Sequence, residues 1–449
     1  SFAKEVKSLN KAAGEVFEGE GVLAVVKGLL QSGVSYIGGY QGAPISHAID
    51  VLKDAGDILA ELGVQVEFSG NEAIAAAMMG ASINYPVRGA ALFKSTVGTN
   101  VASDAISNLA SAGVTGGAMF ILGEDYGEGS AIMQERSYPF AMKSQVWLLD
   151  PRPNLASIVE MIEQGFELSE ASNTPVMLQL RIRACHVTGK FTTKDNRPAA
   201  GKESGGPIAP RFDFAKVTLP PSTYAQEVDK LERRLPAAKA FIEEKGLNEV
   251  FPGDLEEIGI ITLGGHYNGV LRALQIQGLA DLAGNSRVPI YCLNVAYPLA
   301  DREVAEFCAG KSAVLVIEEG QPAFVEDAIG GILRRADLQT SLVGKQLFPA
   351  TGEYKGDVLL DAITRFVEGA LPGRLDTAPM SQTVERIREL KERAAELLGQ
   401  PVTRRLPAFC TGCPERPVMT ALKLVERDIG KVHVSADIGC LTMSTLKPF

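Results

Sequence analysis

Between residues 12 and 190, short apolar runs alternate with amphipathic stretches. Residues 22–32 carry helical spacing and stop at Gly33; residues 34–39 form a short β run closed by two glycines. Segment 44–62 has helical periodicity, 64–69 reads as a strand, and 72–84 predicts an Ala- and Met-rich helix. Further β runs lie at 89–93, 118–123, 146–150 and 175–182. Apolar strands of this length separated by helices predict a mainly parallel sheet covered on both faces.

Residues 190–250 break the rhythm. The stretch 201–221 is rich in Pro and Gly and reads as a surface linker. Residues 222–235 are charged and helical, and Pro236 can open a second helix to about Lys245. A second α/β block follows, with strands at 258–263, 289–294 and 313–318. Residues 381–398 form an amphipathic helix with Val384, Ile387, Ala394 and Leu397 on one face and Gly399 as its stop. The expected organisation is an α/β domain over 1–195, a linker and helix over 196–250, a second α/β domain over 251–370, a connecting helix over 371–400, and a further unit over 401–449. A unit of under ~50 residues is too small to hold a core alone.

Composition narrows the class. A chain of 449 residues is long enough to fold without disulfides or a structural metal. Its 46 glycines suit many strand-to-helix turns. The net charge of −10 argues against a general nucleic-acid binder, which needs a basic surface to neutralise phosphate. No apolar run approaches the ~18 residues of a membrane span, and residues 1–5 lack a signal-peptide layout. Six cysteines are too few for a disulfide framework, so a reducing, cytoplasmic setting is expected and a cysteine pair points to metal or redox chemistry.

Four segments could carry that chemistry. Cys410-Thr-Gly-Cys413-Pro is followed by Asp437-Ile-Gly-Cys440. A C-x2-C turn with a glycine lets two thiolates point at one centre, and a third thiolate suits either tetrahedral zinc or an iron–sulfur cluster. Asn71-Glu72 puts a carboxylate at the start of a small-residue helix, where helix-terminal N–H groups favour its charged form; an ordinary helix-start Glu has the same spacing. Gly39-Tyr40-Gln41-Gly42-Ala43-Pro44 is a Gly-rich turn between a strand and a helix, neither a G-x-G-x-x-G nor a P-loop, so it carries no nucleotide signature. Lys94 to Asn100, Asp125, Gln134 and Arg136 follow strands, where α/β folds bind ligands. The four histidines form no HExxH or triad-like grouping, and His266 reads as structural.

Together these motifs resemble the 2-oxoacid:ferredoxin oxidoreductases, most closely the large subunit of the indolepyruvate (arylpyruvate) enzymes. Gly39 to Pro44 is similar to that family's G-Y-P-G-T-P turn, and Asn71-Glu72 to its N-E. Lys94 to Asp104 is similar to its K-x-x-G-x-N-V-A-x-D, and Asp125 to Arg136 to its acidic Gly/Ser loop. Residues 290–298 and 316–319 match its second domain, and the two Cys motifs its C-P-G-C-P-H and D-I-G-C. The chain departs at Gln41, Ala43 and Glu415-Arg416, and has no G-D-G segment for Mg²⁺ and diphosphate.

The resemblance implies a multi-domain α/β fold: a pyrimidine-binding-type domain, a transketolase C-terminal-like domain and the start of a diphosphate-binding-type domain. It implies thiamine diphosphate, Mg²⁺ and a 4Fe–4S cluster, with CoA as co-substrate and ferredoxin as electron acceptor. Glu72 then activates the aminopyrimidine as the catalytic carboxylate; Tyr40, Gly42, Asn71 and Asp437 join it in binding cofactor. Cys410, Cys413 and Cys440 are cluster ligands, with sulfurs within about 7 Å of one another for a cubane or about 4 Å for one zinc. Ala43 leaves a wider pocket than the family's Thr, which predicts an arylpyruvate substrate, with Lys94 or Arg136 as partner of its carboxylate and Gln134 also in the substrate site. The chain is expected to act in an assembly of at least two copies, with a second subunit or domain carrying the CoA site, and to be part of a longer polypeptide or a tight complex. A non-redox thiamine-dependent decarboxylase and an α/β scaffold with structural zinc are the competing readings.

Overall fold

Strong β formers in unbroken runs give the molecule its two sheets. In the computed structural model, which describes residues 2–127, 133–402, 409, 413, 415–435 and 440–446, the first strands are β1 (Val16–Glu20), β2 (Tyr36–Gly39), β3 (Gln65–Phe68), β4 (Gly89–Lys94) and β5 (Ala118–Glu124). Next come β6 (Trp147–Leu149), β7 (Val176–Arg181), β8 (Thr188–Thr192) and β9 (Glu249–Phe251). The chain continues through β10 (Ile258–Leu263), β11 (Ile290–Leu293), β12 (Val295–Tyr297), β13 (Ala313–Ile317) and β14 (Ser341–Val343).

The first sheet has the order β12-β6-β7-β5-β4-β2-β3. All its pairs are parallel except β12 with β6. Every residue of β5 is buried, as a central strand covered by helices on both faces requires. Helix Gly21–Gln31 is buried along its whole length, Lys27 included. Lys27 Nζ donates to Leu9 O at 3.2 Å, Lys11 O at 2.6 Å and Asn196 Oδ1 at 2.7 Å. Burial still pushes its pKa down to about 8. The second sheet runs β14-β13-β10-β11-β9 with only β9 antiparallel, and β1 pairs with β8 in a two-stranded ribbon.

Two elements differ from the periodicity. The helix expected over 72–84 is interrupted at Gly80 into Glu72–Met78 and Ala81–Asn84. Conversely, 222–245 is one continuous helical run, Ser222–Asp229 and Leu235–Lys245 joined by a π-helical turn at Lys230–Arg234. Pro236 lacks an N–H and its ring crowds the carbonyl four residues back, so the helix widens just before it rather than ending.

The short strand β12 belongs in sequence to the second α/β block, yet it completes the first sheet: Val295 pairs with Leu149 and Tyr297 with Leu148. Asp150 N then donates to Asn294 O at 2.8 Å. At Gly264 the backbones of the two blocks cross so tightly that a Cβ would lie 1.8 Å from Asp150 O. Ser1–Val384 accordingly forms one compact unit, and Glu385–Phe449 another. The latter contains helix Glu415–Ile429, which buries only Met419 and leaves Val418, Leu424, Val425 and Ile429 exposed. No described helix is long and apolar enough to cross a membrane.

Candidate active site

The chain goes from β2 outward to β3 and then returns to β4 on the other side of β2. At this reversal of winding, where α/β folds place their ligand crevices, the segments leaving β2 and β4 meet at the C-terminal ends of the strands. Both polar segments singled out from the sequence lie there. Tyr40 N donates to Leu92 O at 3.0 Å, which holds the turn after β2 against β4. At Gly42 a Cβ would come within 2.5 Å of Lys94 Cβ, so only glycine lets this turn close on the lysine. Lys94 Nζ reaches Asp125 Oδ2, at the end of β5, at 2.5 Å.

Asn71 and Glu72 follow β3 at the same edge. Asn71 caps its helix by accepting from Ile74 N at 2.9 Å. Glu72 is the first helical residue and only 5% exposed. A Cβ on Gly98 would stand 2.9 Å from Glu72 Cγ, so the carboxylate stem rests against the segment after β4. Ala75 and Ala76 pack with Ala91 and Phe93 beneath it. Phe68, Ile74 and Val101 are exposed apolar residues on these same elements.

The other candidates separate from this group. Ala43 is exposed in the turn. Gln134 is held by the loop backbone, accepting from Gly127 N at 3.0 Å and donating to Gly127 O at 2.7 Å. Arg136 is buried against the second block. Its Nη1 donates to Glu318 Oε1 at 3.1 Å and to Glu319 O at 2.5 Å, and its Nη2 to Pro322 O at 2.7 Å. Glu318 also accepts from Phe324 N, Val325 N and Glu326 N, and so caps the helix Phe324–Arg335.

A buried polar cluster that periodicity did not reveal joins the two sheets. Arg181, ending β7, donates to Glu319 Oε2 and lies 3.9 Å from Asp150 Oδ2. Burial raises Asp150 to about 7 even though Arg181 opposes it. Burial pushes Glu319 up as well, but the Arg181 guanidinium and the Tyr354 N–H that donates to its Oε1 at 2.6 Å outweigh it and hold the carboxyl below its usual range. His266 is pushed down to about 3 by burial and then by Arg181, so it is a neutral imidazole at physiological pH. Its Nε2 stands 4.0 Å from Glu319 Oε2 and has no hydrogen bond among the described residues. Arg181, His266 and Glu319 line a cleft of about 240 Å³ together with Asp125 and Tyr354. Asp125 thus belongs both to this cleft and to the ion pair at the crevice. The signal in the sequence was the Glu318-Glu319 pair and the Gly264-Gly265-His266 turn, each directly after an apolar strand.

Cys410 and Asp437 fall outside the described residues, as does the side chain of Cys440, and so does Ser130 in the acidic loop. Cys413 is a half-buried free thiol. Cys185, Cys292 and Cys308 are buried in the first unit, where burial pushes their thiols up, Cys185 and Cys308 to about 12. They are core residues, as their contexts predict.

No family model matches the chain. Over 95% of its length it is 29% identical to the indolepyruvate oxidoreductase subunit IorA of Methanothermobacter marburgensis and 28% identical to that of Methanothermobacter thermautotrophicus. Over the same share it is 26% identical to the subunit of Archaeoglobus fulgidus. The chain spans 64% of the length of the first two relatives and 63% of the third. Among solved structures, it is similar to a 2-oxoglutarate:ferredoxin oxidoreductase from Magnetococcus marinus, with a TM-score of 0.54 and 17% identity. That match covers 73% of this chain and 62% of the other, and it speaks to the fold. The α/β architecture and the likeness along the sequence agree: over nearly its whole length this chain is similar to the indolepyruvate oxidoreductase IorA subunits.

Proposed function

We propose that the chain works in the oxidative decarboxylation of a 2-oxoacid, an arylpyruvate such as indolepyruvate, to an acyl-CoA and CO₂, with electrons leaving through a 4Fe–4S cluster to ferredoxin. The observation that carries this reading is Glu72: a buried carboxylate after β3, its stem against Gly98, on elements that run at the strands' C-terminal edge. The donor chemistry fits the aminopyrimidine end of thiamine diphosphate: one buried carboxylate among small and apolar residues, Gly98, Ala75 and Ala76. When bound, thiamine diphosphate supplies an electron sink for the bond to the departing CO₂.

The chain's own residues then have separable tasks. Glu72 holds a proton shared with the pyrimidine N1′, which its burial keeps from exchanging freely with water. Asn71 fixes the start of that helix, and Tyr40 and Gly42 shape the facing turn. Lys94, held by Asp125, sets a positive charge beside the turn for a substrate carboxylate. Ala43 leaves that turn without a hydroxyl, which suits a bulky aryl side chain. Gln134 is committed to the Gly127 backbone and Arg136 to Glu318, so both hold local structure rather than offering free donors. Cys410, Cys413 and Cys440 are assigned to the cluster and Asp437 to the cofactor on their motifs alone. The relatives are named as subunits, which supports a partner chain; CoA binding and the Mg²⁺-diphosphate site are assigned to that partner or to a further domain. The exposed Phe68, Ile74 and Val101 support a second copy of this chain against the Glu72 edge.

The test is indolepyruvate-dependent reduction of ferredoxin by the protein with its partner subunit, alongside its absorption spectrum. Brown protein that reduces ferredoxin with arylpyruvates in preference to pyruvate or 2-oxoglutarate is the expected result. Colourless zinc protein without activity would favour the scaffold reading. Decarboxylation without electron transfer would favour the non-redox enzyme.

A further inference from the structure

Away from the crevice, three side chains from distant parts of the sequence converge at one surface. Glu20 ends β1, His47 lies on helix Ser46–Asp54, and His186 ends helix Ile182–His186. One ligand-capable atom from each lies within 4.8 Å of the other two. His186 Nδ1 is 2.6 Å from Glu20 Oε1, and the two imidazole rings meet edge to face at 5.3 Å between centroids. This is the only such grouping of three among the described residues.

The convergence is built by the fold. Gly21 passes so close to the end of β7's following helix that a Cβ there would lie 2.0 Å from Ala184 O. That crossing fixes Glu20 beside His186. Glu20 occupies the N-cap position of helix Gly21–Gln31, yet its side chain makes no capping bond and is turned to the histidine instead. His47 is kept in place from the other side by the Phe2 ring, 5.7 Å between centroids, and Phe2 N donates to Asp54 on the same helix at 2.6 Å.

We propose that Glu20, His47 and His186 form a binding site for a divalent transition-metal cation of the zinc class. Two imidazoles and one carboxylate with an open fourth position for water are a donor set such cations favour, whereas calcium and magnesium prefer all-oxygen sites. Ligand atoms around a tetrahedral zinc stand about 3.3 Å apart, given bond lengths of ~2.0–2.1 Å. His47 and His186 are exposed and Glu20 is half-buried, so small side-chain rotations close the remaining gap. Binding replaces the Glu20–His186 hydrogen bond with two metal bonds and ties helix Ser46–Asp54 to the β1 and β7 ends. That helix begins just after Pro44, so the cation anchors the base of the Gly42 turn. The site is independent of the proposed activity.

The test uses Zn²⁺ and Co²⁺ alone on the full chain, stripped of metal with a chelator. Calorimetry is expected to show one zinc site beyond any thiolate site. Cobalt at this site is expected to give visible d–d bands without the thiolate-to-cobalt charge-transfer band that marks cysteine ligation. His47→Ala, His186→Ala and Glu20→Gln should each weaken this site by about tenfold or more, and His433→Ala should leave it unchanged. Zinc should raise the thermal midpoint of the parent protein but not of the His47→Ala variant, whose far-ultraviolet CD reports that it is folded. Cobalt spectra showing only thiolate ligation, or undiminished zinc binding in folded His47→Ala and His186→Ala, would overturn the proposal.

Discussion

Glu72 and Asp150 are both buried acids, and their surroundings set them different tasks. Glu72 sits at a helix start, its stem against Gly98 and its helix built of small residues. Glu72→Gln removes the ionisable carboxyl while keeping the shape. Turnover of 2-oxoacid is expected to fall by about 10²-fold or more with CD and thermal midpoint unchanged; near-normal rates would remove Glu72 from the chemistry. Asp150 instead belongs to a junction with Arg181 and His266, and its effect reads out in stability. Its pKa rises from 3.8 unfolded to about 7 folded, so the native state holds the extra proton and stability falls as pH rises through that window. His266 drops from 6.5 to about 3, so the unfolded state holds the extra proton and stability rises with pH over that interval. The two slopes oppose each other between about pH 4 and 6.5. Asp150→Asn deletes the falling one. Denaturant midpoints of this variant should therefore climb more steeply with pH across that interval than those of the parent. Parallel profiles would mean that the two groups do not titrate as described.

The elements meet through glycines whose missing Cβ is required by a neighbour. Gly264, directly after β10, lies against the carbonyl of Asp150, directly after β6. Gly264→Ala has no flexible side chain to push aside, only backbone. Separating the two chains is expected to cost about 1–3 kcal/mol, read as a lower denaturant midpoint. Gly42→Ala meets the Lys94 side chain instead. The atom it meets is Lys94 Cβ, fixed to the β4 backbone, so the turn after β2 has to lift; the Lys94–Asp125 pair should then be displaced and KM for the 2-oxoacid should rise. A change in kcat alone, with KM unaltered, would argue that Lys94 is not near the substrate carboxylate. The helix start at Asn71 is a smaller matter: loss of its cap in Asn71→Ala should cost ~1 kcal/mol, with Asn71→Asp restoring it.

At the scale of the molecule, β12 stitches the two α/β blocks. Its pairing with β6, the Gly264 crossing and the Arg136 and Arg181 ion pairs all act between them. Cleavage at a protease site placed in the exposed stretch 203–213 should therefore leave the two fragments co-eluting in size-exclusion chromatography. Fragments that part under native conditions would show that the junction is weaker than its contacts imply.

Much of this was legible from one sequence. The strands β2, β4, β5, β7, β10, β11 and β13 follow from apolar runs, because a buried parallel strand needs side chains that tolerate burial on both faces. The Gly-rich turn and Asn71-Glu72 were legible because turns and caps demand particular residue types at fixed offsets. The strands β9, β12 and β14 were not: three residues are too few to show a period, and only β6, equally short, stood out because it lies in the fully apolar run 146–149. The commitment of Arg136 to Glu318 was hidden as well, since an ion pair 182 residues apart leaves no local trace. The Glu20, His47 and His186 grouping is invisible in sequence for the same reason. The sequence by itself determined the α/β class, the alternation of elements and the chemical repertoire, because these depend on residue type and spacing. Tertiary structure alone decided which groups share a crevice, which are spent on holding two sheets together, and which carboxylates and imidazoles are driven from their ordinary pKa values, because burial and through-space contact are properties of the folded chain.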